Sequence, residues 1–171
     1  QDYPNDEIEK LIKLPKLTDQ THLLAAEILN TMQTPAYLVG PEQYLKVIYA
    51  SLDLCFKFGV GLHSGKMFVS HALLLCGAFG QFERGLKFAQ LAVSLNEKFP
   101  SDFQQTEINF IVNASVDHWN KHINKSLKRL QQNFYHGLEH GNIEYAFHSI
   151  LFYCFHNLLS GQPLTKVDAD F

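Results

Sequence analysis

Residues 66–100 read KMFVSHALLLCGAFGQFERGLKFAQLAVSLNEKFP. Two helical patterns meet at Gly80. The first, Lys66 to Phe79, is apolar nearly all round, and such a helix is packed on several sides. The second, Gln81 to Lys98, is amphipathic, with Phe82, Leu86, Ala89 and Val93 on one face. Gly85, Ala89 and Ala92 are small where two antiparallel helices would touch, and Pro100 closes the unit. The stretch predicts a helical hairpin of roughly 34 residues.

The rest of the chain reads as helix as well, because no segment alternates for long with a period of two. Asn5 is a candidate N-cap for a short first helix that Pro15 ends. Thr18 and Asp19 open a second, whose apolar face (Leu23, Leu24, Ile28, Leu29) runs until Pro35. Pro41 starts a third where its missing N–H costs nothing, and Gly59 stops it. After the central hairpin, Ser101 and Gln104 make a capping-box signature for a sixth helix, predicted to run through Ile108, Ile111 and Val116 towards Trp119. Ile123, Leu127, Leu130, Phe134 and Leu138 space out a seventh. Gly141 is a candidate left-handed cap, and Asn142 caps an eighth helix, again apolar on most sides.

Glycines mark an internal repeat. Aligning Gly80 with Gly161 pairs FVSHALLLCGAFGQ with FHSILFYCFHNLLSGQ, a superrepeat of roughly 80 residues, or two hairpins. Short connections force neighbouring helices antiparallel. The expected fold is therefore all-α, about eight helices in antiparallel hairpins, stacked as a tetratricopeptide-like right-handed solenoid with one concave face. The central hairpin departs from the usual repeat pattern on its first helix. Positions that would line a peptide groove are Met67, Ser70, Leu74, Gly77 and Ala78, mostly apolar. They argue against a clamp for a peptide carboxylate, and for a groove filled by a neighbouring helix or closed by other domains.

Composition narrows the function. The 171 residues fit one domain, 1–171, and their 46% hydrophobic content argues against disorder. A net charge of −3 without a basic stripe speaks against nucleic-acid binding. The apolar stretches are broken before bilayer length, so no membrane span is expected. Cys55, Cys76 and Cys154 are far apart, odd in number and outside any CxxC, which fits buried reduced thiols in the cytoplasm. The chain begins Gln1-Asp2-Tyr3 and reads as a piece of a longer protein.

The segment from YLKVIYASLDLCFKFG (44–59) to ILFYCFHNLLSG (150–161) resembles the helical-repeat region of large cyanobacterial multi-sensor signalling kinases. LLLCGAFG with FAQLAVSLNEKF, IVNASVDHWNKHI and GLEHGNIEYAFHSILFYCFHNLLSG carry the resemblance. In that family a serine/threonine kinase-like domain and a signal-transduction ATPase precede the repeats, and GAF sensor and histidine kinase domains follow. None of the family's catalytic motifs lies in this chain: no GxxxxGK[ST], HRD or DFG signature occurs. The resemblance implies a non-catalytic, cytoplasmic interaction module. Its partners would be neighbouring domains, another protein or a second copy of itself.

Several residue sets invite a sharper reading. Asn109, Asn113, Asp117 and His118 follow helical spacing and form a candidate partner-binding stripe. His71, Tyr153 and His156 could supply polar contacts in a small-ligand pocket between the two all-round apolar helices, which is the alternative function. His148 and His156 could face one lumen. His118 and His122, and His136 and His140, are each four apart, and His136, Glu139 and His140 come nearest to a metal site. Without a third ligand from elsewhere, the expectation is no metal and no cofactor. Trp119 is expected to anchor the junction of the sixth and seventh helices.

Overall fold

The computed structural model describes residues 7–170, and the described chain is all-α. Eight α-helices follow one another: α1 (Gln20–Val39), α2 (Pro41–Phe58), α3 (Ser64–Gly77), α4 (Phe82–Lys98), α5 (Asp102–Ile111), α6 (Asn124–Glu139), α7 (Ile143–Leu159) and α8 (Leu164–Asp170). A 3-10 turn, Ile8–Lys13, precedes them; the proposed cap Asn5 lies outside the described residues. Among the described residues the β-type pairing is one isolated bridge, Lys16 to Val60, which ties the N-terminal segment to the α2–α3 loop.

Local chemistry sets most of the boundaries. Asp19 accepts from the His22 N–H, Ser101 from the Gln104 N–H and Asn142 from the Tyr145 N–H, each satisfying a first-turn donor. Gly80 takes φ +65° and Gly141 φ +77°, the left-handed caps read from the sequence. The Gln104 side chain does not close a capping box; its amide meets His63 Nδ1 at 2.7 Å instead.

Packing follows chain order. α1 with α2, α3 with α4, and α6 with α7 form the most extensive pairs. α5 packs against α3, α4, α6 and α7, and α1, α3, α5 and α7 meet each other in succession. The core cluster runs through Ile48, Phe68, Leu95, Ile108 and Leu130. Close approach of α3 and α4 needs Gly85: a Cβ there would collide with Cys76 Sγ and sit 3.1 Å from the Ala72 carbonyl. Ala92 is completely buried in the same seam.

Four sequence expectations change. Pro35 does not end α1, which continues to Val39. Burial of Ala36 and the edge-on contact of Tyr37 with Tyr44 (5.3 Å) hold the last turn in place, outweighing the lost N–H. The sixth helix does not run regularly to Trp119. It widens into a π-helical turn at Val112–Val116 and tightens to 3-10 at Asp117–Trp119. Asn113 Nδ2 donates to the Asn109 carbonyl (2.7 Å), offering the backbone acceptor a side-chain partner where the ladder shifts. Trp119 stacks on Phe82 of α4 at 4.3 Å, so it anchors the end of the widened helix to the central hairpin rather than to α6. Finally, α3 is buried nearly all round as expected, whereas α7 leaves Phe147, Leu151, Phe155 and Leu158 about half exposed along one face. Cys55 and Cys76 are buried and Cys154 is half-buried; all three are free thiols.

Candidate functional site

The odd-numbered helices converge on a cavity of about 360 Å³. α1 contributes Gln33, Tyr37 and Leu38, and α3 contributes Lys66, Ser70 and Leu73. α5 and its π turn add Phe110, Ile111 and Ser115, and α7 adds Tyr145, His148 and Phe152. Tyr44 of α2 completes the wall. The lining is largely apolar, which makes its few polar groups informative.

Lys66 is the centre of those groups. It sits in the first turn of α3, only 3% exposed. Its Nζ lies 2.9 Å from Glu107 Oε2 and donates to the Tyr145 hydroxyl at 2.9 Å, while standing 4.4 Å above the Tyr145 ring. Burial alone pulls the ammonium towards neutrality, but Glu107 and then Tyr145 more than offset it, and the net pKa lies above the ordinary lysine value. Lys66 therefore stays charged, with two of its three N–H groups committed.

A second polar arm runs beside it. Ser70 Oγ donates to Gln33 Oε1 at 2.6 Å, and Tyr44 is hydrogen-bonded to Ser70. Burial raises the Tyr44 pKa despite that bond, so the phenol stays neutral. Gln33 is 1% exposed, and its Nε2 has no partner. His148 Nδ1, on the opposite wall, has none either; its ring is held by Phe110 and Tyr145, each with centroids 5.6 Å away. Native interiors leave few such groups unpaired, and both residues line this cavity, which points to something that binds there.

The residues singled out from the sequence lie in other places. His71 lines a separate groove of about 700 Å³ between α2, α3 and α4, beside Phe88 (4.8 Å) and Tyr49. Burial, with Arg84 adding, lowers its pKa to about 4. Neither Tyr153 nor His156 lines the central cavity. His156 is buried, its Nδ1 2.6 Å from Ser126 Oγ and its ring 6.1 Å from His118. Burial first, and His118 second, lower its pKa. Of the pair His148 and His156, only His148 reaches the lumen.

The stripe Asn109, Asn113, Asp117 and His118 is spread over three elements: Asn109 lies on α5, Asn113 on the π turn, and Asp117 and His118 on the 3-10 turn after it. Asn113 and Asp117 are buried. Asp117 Oδ2 accepts from Lys121 (2.8 Å) and Arg129 (3.0 Å), closing the start of α6 onto the widened helix. The His118 ring lies 5.0 Å from Trp119 and 6.1 Å from His156, and burial lowers its pKa. His136 and His140 stack at 4.3 Å, and Asp102 rather than Glu139 stands beside them.

The sequence reading offers a pocket between the two apolar helices, α3 and α7, which both line this cavity, but it names other polar residues for it. The cavity's one local signal is Lys66, a charge at the head of an otherwise apolar helix; Glu107 and Tyr145 are 41 and 79 residues away and nothing local connects them. No helix of the described residues is long and apolar enough to cross a membrane. No protein-family model, curated protein or solved structure matches this chain.

Proposed function

We propose that this chain is a non-catalytic helical-repeat sensor module that holds a small, largely apolar ligand between α1, α3, α5 and α7. The observation that carries the reading is the buried Gln33 Nε2, which has no partner, on a residue that lines the same largely apolar cavity as the charged Lys66. Gln33 Nε2 and the third N–H of Lys66 are donors, so the ligand carries an acceptor oxygen: a hydroxyl, carbonyl or carboxylate. The volume sits at the small end of ligand pockets. The neighbour-to-neighbour packing of the helices supports a tetratricopeptide-like right-handed stack whose odd-numbered helices form the concave face.

The reactive groups argue against catalysis. A nucleophilic lysine must lose its proton near neutral pH, and Lys66 is held in the opposite state. Burial pushes the Cys55 thiol up to about 11, which leaves no thiolate. The test is mass spectrometry of the chain purified without denaturant, followed by melts with carboxylate- and carbonyl-bearing amphiphiles. A retained ligand or a saturable rise in Tm, lost in Leu73→Trp, is expected. Failure of every amphiphile to move Tm, with nothing retained, refutes the reading.

A second reading has its own observation. Phe147, Leu151, Phe155 and Leu158 lie on one face of α7, spaced like the covered stripe of a packed helix, yet about half exposed. In this reading the chain is a regulatory interaction module of a cytoplasmic signalling kinase of the kind it resembles, and a neighbouring domain of the same polypeptide covers α7. Leu151→Glu with Phe155→Glu should abolish capture of the adjoining domains without lowering Tm. Equal capture by wild type and variant removes this reading.

A further inference from the structure

We propose that Asp102, His136 and His140 bind one divalent transition-metal ion, Zn²⁺ being the first candidate, and that the ion clips the start of α5 to the end of α6. The argument begins with proton positions. Thr106 Oγ1 lies 3.1 Å from the Asp102 carbonyl and 3.0 Å from His136 Nδ1; we assign its single proton to the carbonyl, which leaves the hydroxyl an acceptor for Nδ1–H. His136 therefore carries its proton on Nδ1. His140 Nδ1 lies 2.9 Å from the His136 carbonyl, which can only accept, so His140 carries its proton on Nδ1 too. With the proton on Nδ1, Nε2 of each ring is the nitrogen left for a ligand.

Both Nε2 atoms face the same carboxylate. His140 Nε2 is 3.6 Å from Asp102 Oδ2 and His136 Nε2 is 3.9 Å from Asp102 Oδ1. One ligand atom from each of the three residues lies within 4.8 Å of the others. Two imidazole Nε2 atoms and a carboxylate converge on one point, an arrangement that a cation at the centre would satisfy. Metal-bound histidines commonly have this outer shell, with Nδ1–H given to a carbonyl or hydroxyl and Nε2 to the ion. Metal–ligand distances of about 2.1 Å place tetrahedral ligands about 3.3 Å apart. Closing the present spacing requires a small movement, which the largely exposed Asp102 side chain can supply.

The framework under the site is rigid. Gly137, between the two histidines, lets α6 approach: a Cβ there would come within 2.8 Å of Thr106 Cγ2 and 2.9 Å of Ala146 Cβ. Asn133 Nδ2 donates to the Thr106 carbonyl (2.9 Å), and Asn142 Nδ2 to the Phe103 carbonyl (2.8 Å), fixing α5 on both sides of Thr106. Two imidazoles and one carboxylate suit zinc, cobalt or nickel rather than calcium or magnesium. Three protein ligands leave a tetrahedral position open, for water or for a donor from a partner.

The experiment is a CoCl₂ titration of the chelator-stripped chain at pH 7.5, read by visible d–d absorption, with ZnCl₂ competition. One ion per chain is expected, displaced by Zn²⁺, and Zn²⁺ should raise the melting temperature. Asp102→Asn and His140→Ala, both at accessible positions, should each abolish the cobalt bands while keeping the helical circular dichroism. Thr106→Val, which removes the acceptor for His136 Nδ1–H together with the hydroxyl's bond to the Asp102 carbonyl, should weaken binding about 10- to 100-fold. His122→Ala should change nothing. The proposal is overturned if no saturable binding occurs below about 1 mM, or if binding survives Asp102→Asn and His140→Ala. It is also overturned if those variants lower Tm while metal leaves the wild-type Tm unmoved, since protons on the histidines then fill the centre. The cavity plays no part in these readouts.

Discussion

Replacing Lys66 by Met tests the polar heart of the fold. The thioether nearly matches the lysine stem in length but carries no charge. It leaves the Glu107 carboxylate, whose side chain is 9% exposed, without the cation that stood 2.9 Å away. Removing one partner of a buried ion pair costs about 3–5 kcal/mol, because the surviving charge stays desolvated. In a chain of this length 1 kcal/mol moves Tm by about 2–4 °C, so the variant should melt about 10 °C lower at pH 7.5. Lys66→Met with Glu107→Leu removes both charges and should recover most of the deficit. Thermal melts of wild type, Lys66→Met, Glu107→Leu and the double variant, followed by circular dichroism at pH 7.5, read the cycle. A single variant melting within about 2 °C of wild type, or a double variant no better than the single, refutes the assignment of Lys66 and Glu107 as a mutually dependent pair.

Further outcomes follow from the geometry. His71 is lowered from 6.5 to about 4 by burial, with Arg84 adding, so the unfolded chain takes up the proton first. Its contribution is present above pH 6.5 and lost as pH falls towards 4, up to about 3 kcal/mol. His118 and His156, lowered chiefly by burial, act with the same sign. The urea midpoint should drop between pH 7 and pH 5, and drop less in His71→Leu. At the other extreme, the raised Lys66 pKa means its pairing is complete below about pH 10.4 and lost as pH rises through the folded value. Alkaline melts should therefore penalise wild type more than the Met–Leu double variant. Gly85→Ala forces a methyl against Cys76 Sγ and should cost about 1–3 kcal/mol in a urea titration, part of it regained with Cys76→Ala. Gly80 has φ +65° and open space around its missing Cβ, so Gly80→Val should cost about 1 kcal/mol, and Gly80→Asn less.

What was legible in the sequence is what neighbouring residues decide. Asp19, Ser101 and Asn142 cap because a short polar side chain reaches its own helix's N–H groups, and Gly80 and Gly141 stop helices for a backbone reason. Gly85 and Ala92 revealed the α3–α4 seam because both helices lie within one hairpin. Pro35 misled because the packing of Ala36 and Tyr37 overrides a local penalty. The site residues were harder for a related reason. Lys66, Glu107 and Tyr145 meet only after three hairpins have closed, and Asp102 joins His136 and His140 across a gap of more than thirty residues. The i, i+4 histidine pair was visible; its carboxylate belongs to another helix. The Asn109–His118 stripe assumed one regular helix, but the π and 3-10 turns after Ile111 break that spacing, and Asn113 and Asp117 are buried.

That turn has a mechanical consequence. α1–α4 and α6–α8 touch chiefly by way of α5 and the widened segment behind it, helped by the Lys66–Tyr145 bond. Residues 102–119 thus act as the fulcrum between two arms. A π turn carries an extra residue per repeat and can pass along its helix by exchanging one set of carbonyl partners for the next. Shifting it by one step would swing α6 and α7 against α3, reshape the cavity wall at Phe110 and Ser115, and re-aim Asp117 without melting either arm.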